Sequence, residues 1–402
     1  MKYIILVGDG MGDLPLAELD NQTPLAAAKT PAMDYLAAEG ELHLLQTVPD
    51  GFPPGSDVAN LSLLGYLPTK CYSGRAPLEA ASMGVQLGAD EVAFRCNLVS
   101  LDFKDDGTVK MVDYSAGHIS SAEARILVQG LDQAAGSDQL KFHPGISYRH
   151  LLVHKGVVAE LETVPPHDHT GKDVTRYWQR YQAIPQFKEM LAKAVAFLSK
   201  HEVNQKRSAA NRNQANAIWL WGEGKAPTMP TIKAQFGVSG ALISAVDLLK
   251  GIGVYADLEI INVDGATGYL DTNYQGKADA ALKALESKDL VFVHVEAPDE
   301  AGHQGLLKEK MQAIEDFDSR IVKPIFEGMK QRGEDFRLVI AMDHFTPLSL
   351  QTHTSQPVPV AIYDSRGKGQ GSGLAYNEEN ATAAGSMIGD GLKFFKRILE
   401  QQ

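Results

Sequence analysis

Cysteine is nearly missing from this chain of 402 residues: Cys71 and Cys96 are the only two, and neither has the spacing of a metal ligand. That count argues against a disulfide framework and against a cysteine metal site. Long apolar runs are absent as well. No segment approaches the ~18 apolar residues of a membrane span. The opening run KYIILV stops at Gly8, too early for the apolar region of a signal peptide, so a cytoplasmic protein is expected.

Positive charge is also short, with 38 Lys and Arg against 50 Asp and Glu and a net charge of −12. Nucleic acid and anionic membranes are therefore not expected as general partners, although a local basic pocket can still hold a small phosphorylated substrate. Two nucleotide signatures are lacking too. There is no G-x-x-x-x-G-K-[ST] loop, and Gly8, Gly10 and Gly12 are spaced G-x-G-x-G and not G-x-G-x-x-G. What remains is 44% hydrophobic and 22% charged, the composition of a globular protein with ample core material. The length suggests two domains. No internal repeat and no surface feature diagnostic of an oligomer is legible.

Short β-branched runs alternate with amphipathic stretches, the pattern of an α/β core with a mostly parallel sheet flanked by helices. KYIILV reads as a first buried strand, and AIWLW (217–221), LEIINV (258–263), LVFVHVEA (290–297), FRLVIAMD (336–343) and PVAIY (359–363) as further strands of that core. GALISAVDLLKG (240–251) and KADAALKALES (277–287) read as helices between them. The middle differs. YRHLLVHKG (148–156) looks like an antiparallel strand, FKEMLAKAVAFLSKHE (187–202) like a long amphipathic helix, and NQKRSAANRNQANA (204–217) like a linker. These place a smaller inserted α+β domain at 113–207 within a core formed by 1–112 and 208–402.

Loops at the carboxyl edge of a parallel sheet collect ligand-binding residues. Three such loops carry metal-type side chains. In LVGDGMGD, Asp9 follows the first strand; in VEAPDEAGHQG, Asp299 and His303 are four apart and share a face if the segment is helical; in AMDHFTPLSLQTHTSQPVPV, Asp343 and His344 are adjacent and His353 follows. Each histidine alone reads as a surface or hydrogen-bonded residue. Together, three Asp and three His suit paired divalent ions such as Mn²⁺ or Zn²⁺, which can clamp a phosphoryl group. Ser56, after Pro-Pro-Gly in FPPGSDVANLSLLGY, reads on its own as a helix N-cap; a nucleophile is the sharper reading.

PPGSDVANLSLLGY, YSGRAPLEAASMGV (72–85), FRCNLV (94–99), GATGYLDTNYQGKA (265–278), APDEAGH (297–303) and MDHFTP…THTSQPVPV carry a resemblance over nearly the whole chain. It resembles the archaeal-type cofactor-independent phosphoglycerate mutases of the alkaline phosphatase superfamily, and within them a bacterial branch that includes proposed homoserine kinases. The resemblance implies an alkaline-phosphatase-like core. It also implies one metal held by Asp9, Ser56, Asp343 and His344 and a second by Asp299, His303 and His353, with Ser56 both cap and nucleophile. Mn²⁺ is the ion implied first, with Zn²⁺, Mg²⁺ and Co²⁺ as alternatives.

The activity implied is phosphoryl transfer through a phosphoserine, interconverting 3- and 2-phosphoglycerate, with the inserted domain as lid. Arg75, Arg149, His167, Asp168 and Lys225 are the expected substrate contacts. Two positions depart from the family pattern: Gln351 stands where a basic residue is common, and Phe345 where a small or polar one is usual. The alternatives are a homoserine kinase on the same fold and a non-catalytic metal-binding module.

Overall fold

The computed structural model describes residues 1–156, 161, 163–367 and 371–400. Its strands among these residues are, in chain order, β1 (Lys2–Gly8), β2 (Glu41–Leu45), β3 (Glu91–Phe103), β4 (Val109–Asp113), β5 (Leu140–Ile146), β6 (Arg149–Lys155), β7 (Ala217–Gly224), β8 (Gly240–Ile243), β9 (Glu259–Ile261), β10 (Leu290–Val295), β11 (Phe336–Ala341), β12 (Val358–Asp364) and β13 (Met387–Ile388). They divide between two compact units. Residues 1–72 and 228–402 form the first, and 73–227 the second.

The first unit is built on an eight-stranded sheet in the order β13-β2-β12-β11-β1-β10-β8-β9. All pairings are parallel except those of β12 with β11 and with β2. Ile4 to Val7 of β1 and all of β10 and β11 are buried, as strands covered by helices on both faces must be. Register then does the positioning. Gly8 pairs with Val295 and Val7 with Ala341, so the chain leaves all three central strands at one edge, where Asp9, Asp299 and Asp343 follow. GALI, expected as the start of a helix, is instead strand β8 beside β10, and the helix begins only at Asp247. A four-residue apolar run buried on both faces carries no period that separates strand from helix.

The second unit is a five-stranded antiparallel sheet, β4-β3-β6-β5 with β7 also on β3. Helices Ser121–Ala135 and Pro185–Lys200 supply Leu127, Leu131, Phe187 and Leu191 to a core shared with Phe94 and Trp219. AIWLW, read as a strand of the first sheet, is therefore β7 of this one. The unit extends to Ser73–Pro227 and not only over 113–207, because β3, the strand every other one but β5 pairs with, starts at Glu91. The polar stretch read as a linker is helical over Glu202–Ala209 and holds a buried arginine. Arg207 donates to the carbonyls of Ala116 and Asn213 and to Glu123 Oε2 at 2.9 Å. No helix among the described residues is long and apolar enough to cross a membrane.

Candidate active site

The helix Ser56–Leu63 starts where it does because Pro53 and Pro54 cannot extend it backwards and Gly55 is extended, with φ −174°. Gly55, not Ser56, is the N-cap, and no side chain caps the helix. The expected capping role of Ser56 is thus corrected. Its hydroxyl points away from the helix to His344, 3.1 Å from Nε2. One turn on, Asn60 donates to the Ser56 carbonyl at 2.8 Å and to Asp343 Oδ2 at 3.0 Å, tying this helix to the loop after β11.

The loop after β1 turns at Gly10, whose φ of +61° and close neighbours both require glycine. A Cβ there would stand 2.6 Å from Asp299 Oδ1 and 2.6 Å from Thr346 Oγ1. The Gly10 N–H donates to Asp343 Oδ1 at 3.1 Å. Behind β10, the short helix Ala297–His303 carries Pro298 in its first turn and presents Asp299 and His303 on one face, 3.3 Å apart. The loop after β11 supplies His344 and His353, whose rings stack with centroids 3.8 Å apart.

The seven residues singled out in the sequence thus converge on one edge of one sheet. Asp299 faces His303 through Oδ2 and His353 through Oδ1, both at 3.3 Å, and the two Nε2 atoms are 2.8 Å apart. Ligands about 2.1 Å from a tetrahedral ion stand about 3.4 Å from each other, so this triangle has nearly the dimensions of one face of such a site. His344 stands between the sets, its Nε2 3.4 Å from Asp343 Oδ2 and 3.6 Å from Asp9 Oδ1. Two further triads, Asp299 with His344 and His353 and Asp9 with Asp343 and His294, bring one ligand atom each within 4.8 Å of one another.

His294 was not singled out in the sequence. It lies on β10, fully buried, and its Nε2 is 3.1 Å from Asp9 Oδ2 without the alignment of a hydrogen bond. Asp9 Oδ1 is likewise buried with no hydrogen-bond partner. A carboxylate oxygen and an imidazole nitrogen left unsatisfied in the interior fit a bound cation. A histidine inside the apolar run LVFVHV was the signal that could have found it.

The charges point the same way. Burial, together with Asp343 and Asp299, raises Asp9 well above the usual carboxylate range. Burial opposes ionisation of Asp299 too, but hydrogen bonds to His303 and His353 outweigh it and hold Asp299 well below that range. His303 is raised to about 9 by its hydrogen bond to Asp299, while burial lowers His344. Three buried carboxylates at one strand edge thus draw compensating positive charge, and the mixed oxygen and imidazole donors fit divalent metals.

Phe345 and Gln351 find structural uses. The Phe345 ring covers Gly12, where a Cβ would approach it to 2.3 Å. Gln351 has φ +54°, and its carbonyl accepts from His303 Nδ1 at 3.0 Å, which leaves Nε2 facing Asp299.

In the second unit a different group forms on β3 and β7. Arg95, buried in the middle of β3, donates to Glu79 at 2.9 Å and lies 4.0 Å over the Trp221 ring. Burial, and the charges of Arg75 and Arg149 against the pull of Glu79, lower it to about 10. The edge of His167 meets Trp221 at 5.5 Å and Tyr114 at 6.1 Å, and Tyr148 links Tyr114 to Arg149. Arg75, Arg149 and His167 thus share one patch, with Asp168 3.7 Å from His167. Lys225 is exposed, and its carbonyl accepts from Ser73. Arg95 was missed in the sequence, although a charge inside an apolar strand (FRCNLV) marks it.

The family model described as 2,3-bisphosphoglycerate-independent phosphoglycerate mutase matches residues 37–204. The protein of that name from Methanosarcina barkeri is 54% identical over 382 residues, 95% of either chain. A probable mutase of the same name from Geobacter sulfurreducens is 49% identical over 401 residues, 100% of either chain. Among solved structures, the PH0037 protein of Pyrococcus horikoshii superposes with a TM-score of 0.82 at 27% identity, covering 99% of this chain and 96% of that one. The cofactor-independent phosphoglycerate mutase of Thermoplasma acidophilum follows at 0.66 and 25%, covering 100% and 99%.

Proposed function

The chain belongs to the 2,3-bisphosphoglycerate-independent phosphoglycerate mutase family, and on that premise we propose that it interconverts 3- and 2-phosphoglycerate through a phosphoserine at Ser56. The observation that carries this reading is the Ser56 hydroxyl 3.1 Å from His344 Nε2, at the edge of a group of three buried aspartates with buried His294 and half-buried His303 and His353.

Asp9, Ser56, Asp343 and His344 would hold one divalent ion and Asp299, His303 and His353 a second, which would supply positive charge that favours an ionised serine and offsets the phosphoryl oxygens. Carboxylate and imidazole donors without thiolate suit Mn²⁺ first, with Zn²⁺, Mg²⁺ and Co²⁺ as competitors. Ser56 Oγ bonds to phosphorus as the bond from phosphorus to the glycerate O3 breaks, and the serine proton ends on the departing hydroxyl. The second step reverses this with O2. Ser56 sits in the first helical turn, whose backbone N–H groups favour the negative phosphoryl group.

Glycerate must stay bound between the steps, because water at the phosphoserine would make the reaction a hydrolysis. Arg75, Arg149 and the buried Arg95 have the planar donor geometry that grips a carboxylate, His167 and Asp168 offer a donor and an acceptor for hydroxyls, and Lys225 offers a mobile ammonium for phosphate.

A coupled assay with 3-phosphoglycerate and Mn²⁺, without bisphosphoglycerate, tests the proposal. Turnover that stops with chelator and returns with Mn²⁺ is expected. Phosphorylation of homoserine by ATP with no mutase turnover would overturn it.

A further inference from the structure

Thr346 takes no part in the ligand set above, yet its hydroxyl touches a residue of each ligand set, Asp299 of one and His344 of the other. It is fully buried two residues after His344. Its backbone N–H donates to the Gly12 carbonyl at 3.1 Å, and its own carbonyl accepts from Lys310 Nζ at 2.8 Å. Lys310, buried in the helix Leu307–Phe317, spends its other contacts on the Gly12 carbonyl at 3.1 Å and Asp13 Oδ2 at 2.8 Å. The loops after β1 and β11 are therefore fastened together at Thr346. Glycine at 302 lets the helix of Asp299 approach, since a Cβ there would stand 2.6 Å from the Thr346 carbonyl.

The hydroxyl has one proton and two acceptors to serve. Thr346 Oγ1 is 2.5 Å from Asp299 Oδ1 and 3.3 Å from His344 Nδ1. An aspartate oxygen only accepts, so the hydroxyl proton goes to Asp299 and the Nδ1 contact is left as one in which the hydroxyl accepts. His344 must then carry its proton on Nδ1, which leaves the Nε2 lone pair facing Ser56 Oγ, Asp343 and Asp9. Without the hydroxyl nothing in this contact selects between the two tautomers of His344, and Asp299 Oδ1 keeps, among the described residues, the facing His353 in place of its short hydrogen bond.

We propose that Thr346 is a positioning residue for both ligand sets, its single hydroxyl fixing the tautomer of His344 and the rotation of the Asp299 carboxylate together. The proposal rests on the ligand assignment above. Titration of chelator-treated full-length protein with MnCl₂ separates the two. If the wild type binds no Mn²⁺, the ligand assignment fails. If it binds, Thr346→Val, which keeps the shape and removes the hydroxyl, is expected to weaken Mn²⁺ binding by about 10–100-fold, while Thr346→Ser stays near wild type.

Wild-type affinity in Thr346→Val would overturn the proposal. So would a Thr346→Ser variant as weak as Thr346→Val, because the methyl packing and not the hydroxyl would then matter. Should Thr346→Val fail to fold, the ¹⁵N imidazole shifts of His344 in the wild-type protein decide the question. An Nδ1–H tautomer is expected, and an Nε2–H tautomer would overturn the assignment.

Discussion

The two units handle charge in opposite ways. In the first, Asp9, Asp299 and Asp343 are buried at the ends of adjacent parallel strands; the oxygens of Asp299 and Asp343 are held by backbone N–H groups, Asn60, Thr346 and histidines, while Asp9 Oδ1 has no hydrogen-bond partner. In the second, Arg149 and His167 are exposed, Arg75 is half-buried, and the contacts that place them are mainly aromatic faces and one glutamate. Fixed, desolvated charge is what a transferring phosphoryl group needs; accessible, planar charge is what capture of a small carboxylate needs. The proposed mechanism accordingly assigns the chemistry to the buried sheet edge of the first unit and recognition to the more exposed patch of the second.

That division makes distinct expectations for substitutions in each unit. Ser56→Ala should reduce mutase turnover by roughly 10⁴–10⁶-fold, the scale on which loss of a nucleophile acts, with the thermal midpoint little changed because the hydroxyl does not cap its helix. Steady-state assay beside calorimetry checks both halves. Arg207→Met should cost about 3 kcal/mol of stability, the low end for a broken buried pair because Glu123 keeps partial solvent and a contact with Arg212. Denaturant unfolding measures it, and Mn²⁺ affinity, which belongs to the other unit, should not move.

Arg149→Ala should leave stability unchanged, since the side chain is exposed, and raise KM for 3-phosphoglycerate by about tenfold or more, equivalent to losing a charge-assisted hydrogen bond of about 1.5–3 kcal/mol. A fall in kcat with KM unchanged would move Arg149 from capture to chemistry. The smallest effect is expected at Gln351. Its φ of +54° suits glycine, so Gln351→Gly should change stability by less than about 1 kcal/mol. Gln351→Ile, which cannot rest there, should weaken Mn²⁺ binding by displacing the carbonyl that orients His303.

What was legible in the sequence follows the same divide. The strand-end aspartates and the i, i+4 pair Asp299 and His303 could be read because a parallel sheet forces its loops to one edge and a helical turn forces spacing. Local pattern failed where pairing decides: GALI is a strand only because β10 lies beside it, and AIWLW belongs to the second sheet only because β3 reaches it. Ser56 was misjudged as a cap because Gly55 already supplies the extended residue. Arg95, His294 and Thr346 were missed for a shared reason. Each works through neighbours distant in the chain, and each gave at most one local sign, a polar residue inside an apolar run or beside a ligand.

The central claim is that Ser56 itself carries the phosphoryl group. The enzyme should be quenched in acid during turnover of 3-phosphoglycerate with Mn²⁺, and its peptides mapped by mass spectrometry. We expect phosphate on Ser56 in the wild type and none in chelator-treated protein. Interconversion of the two phosphoglycerates at full rate by Ser56→Ala would contradict the claim directly.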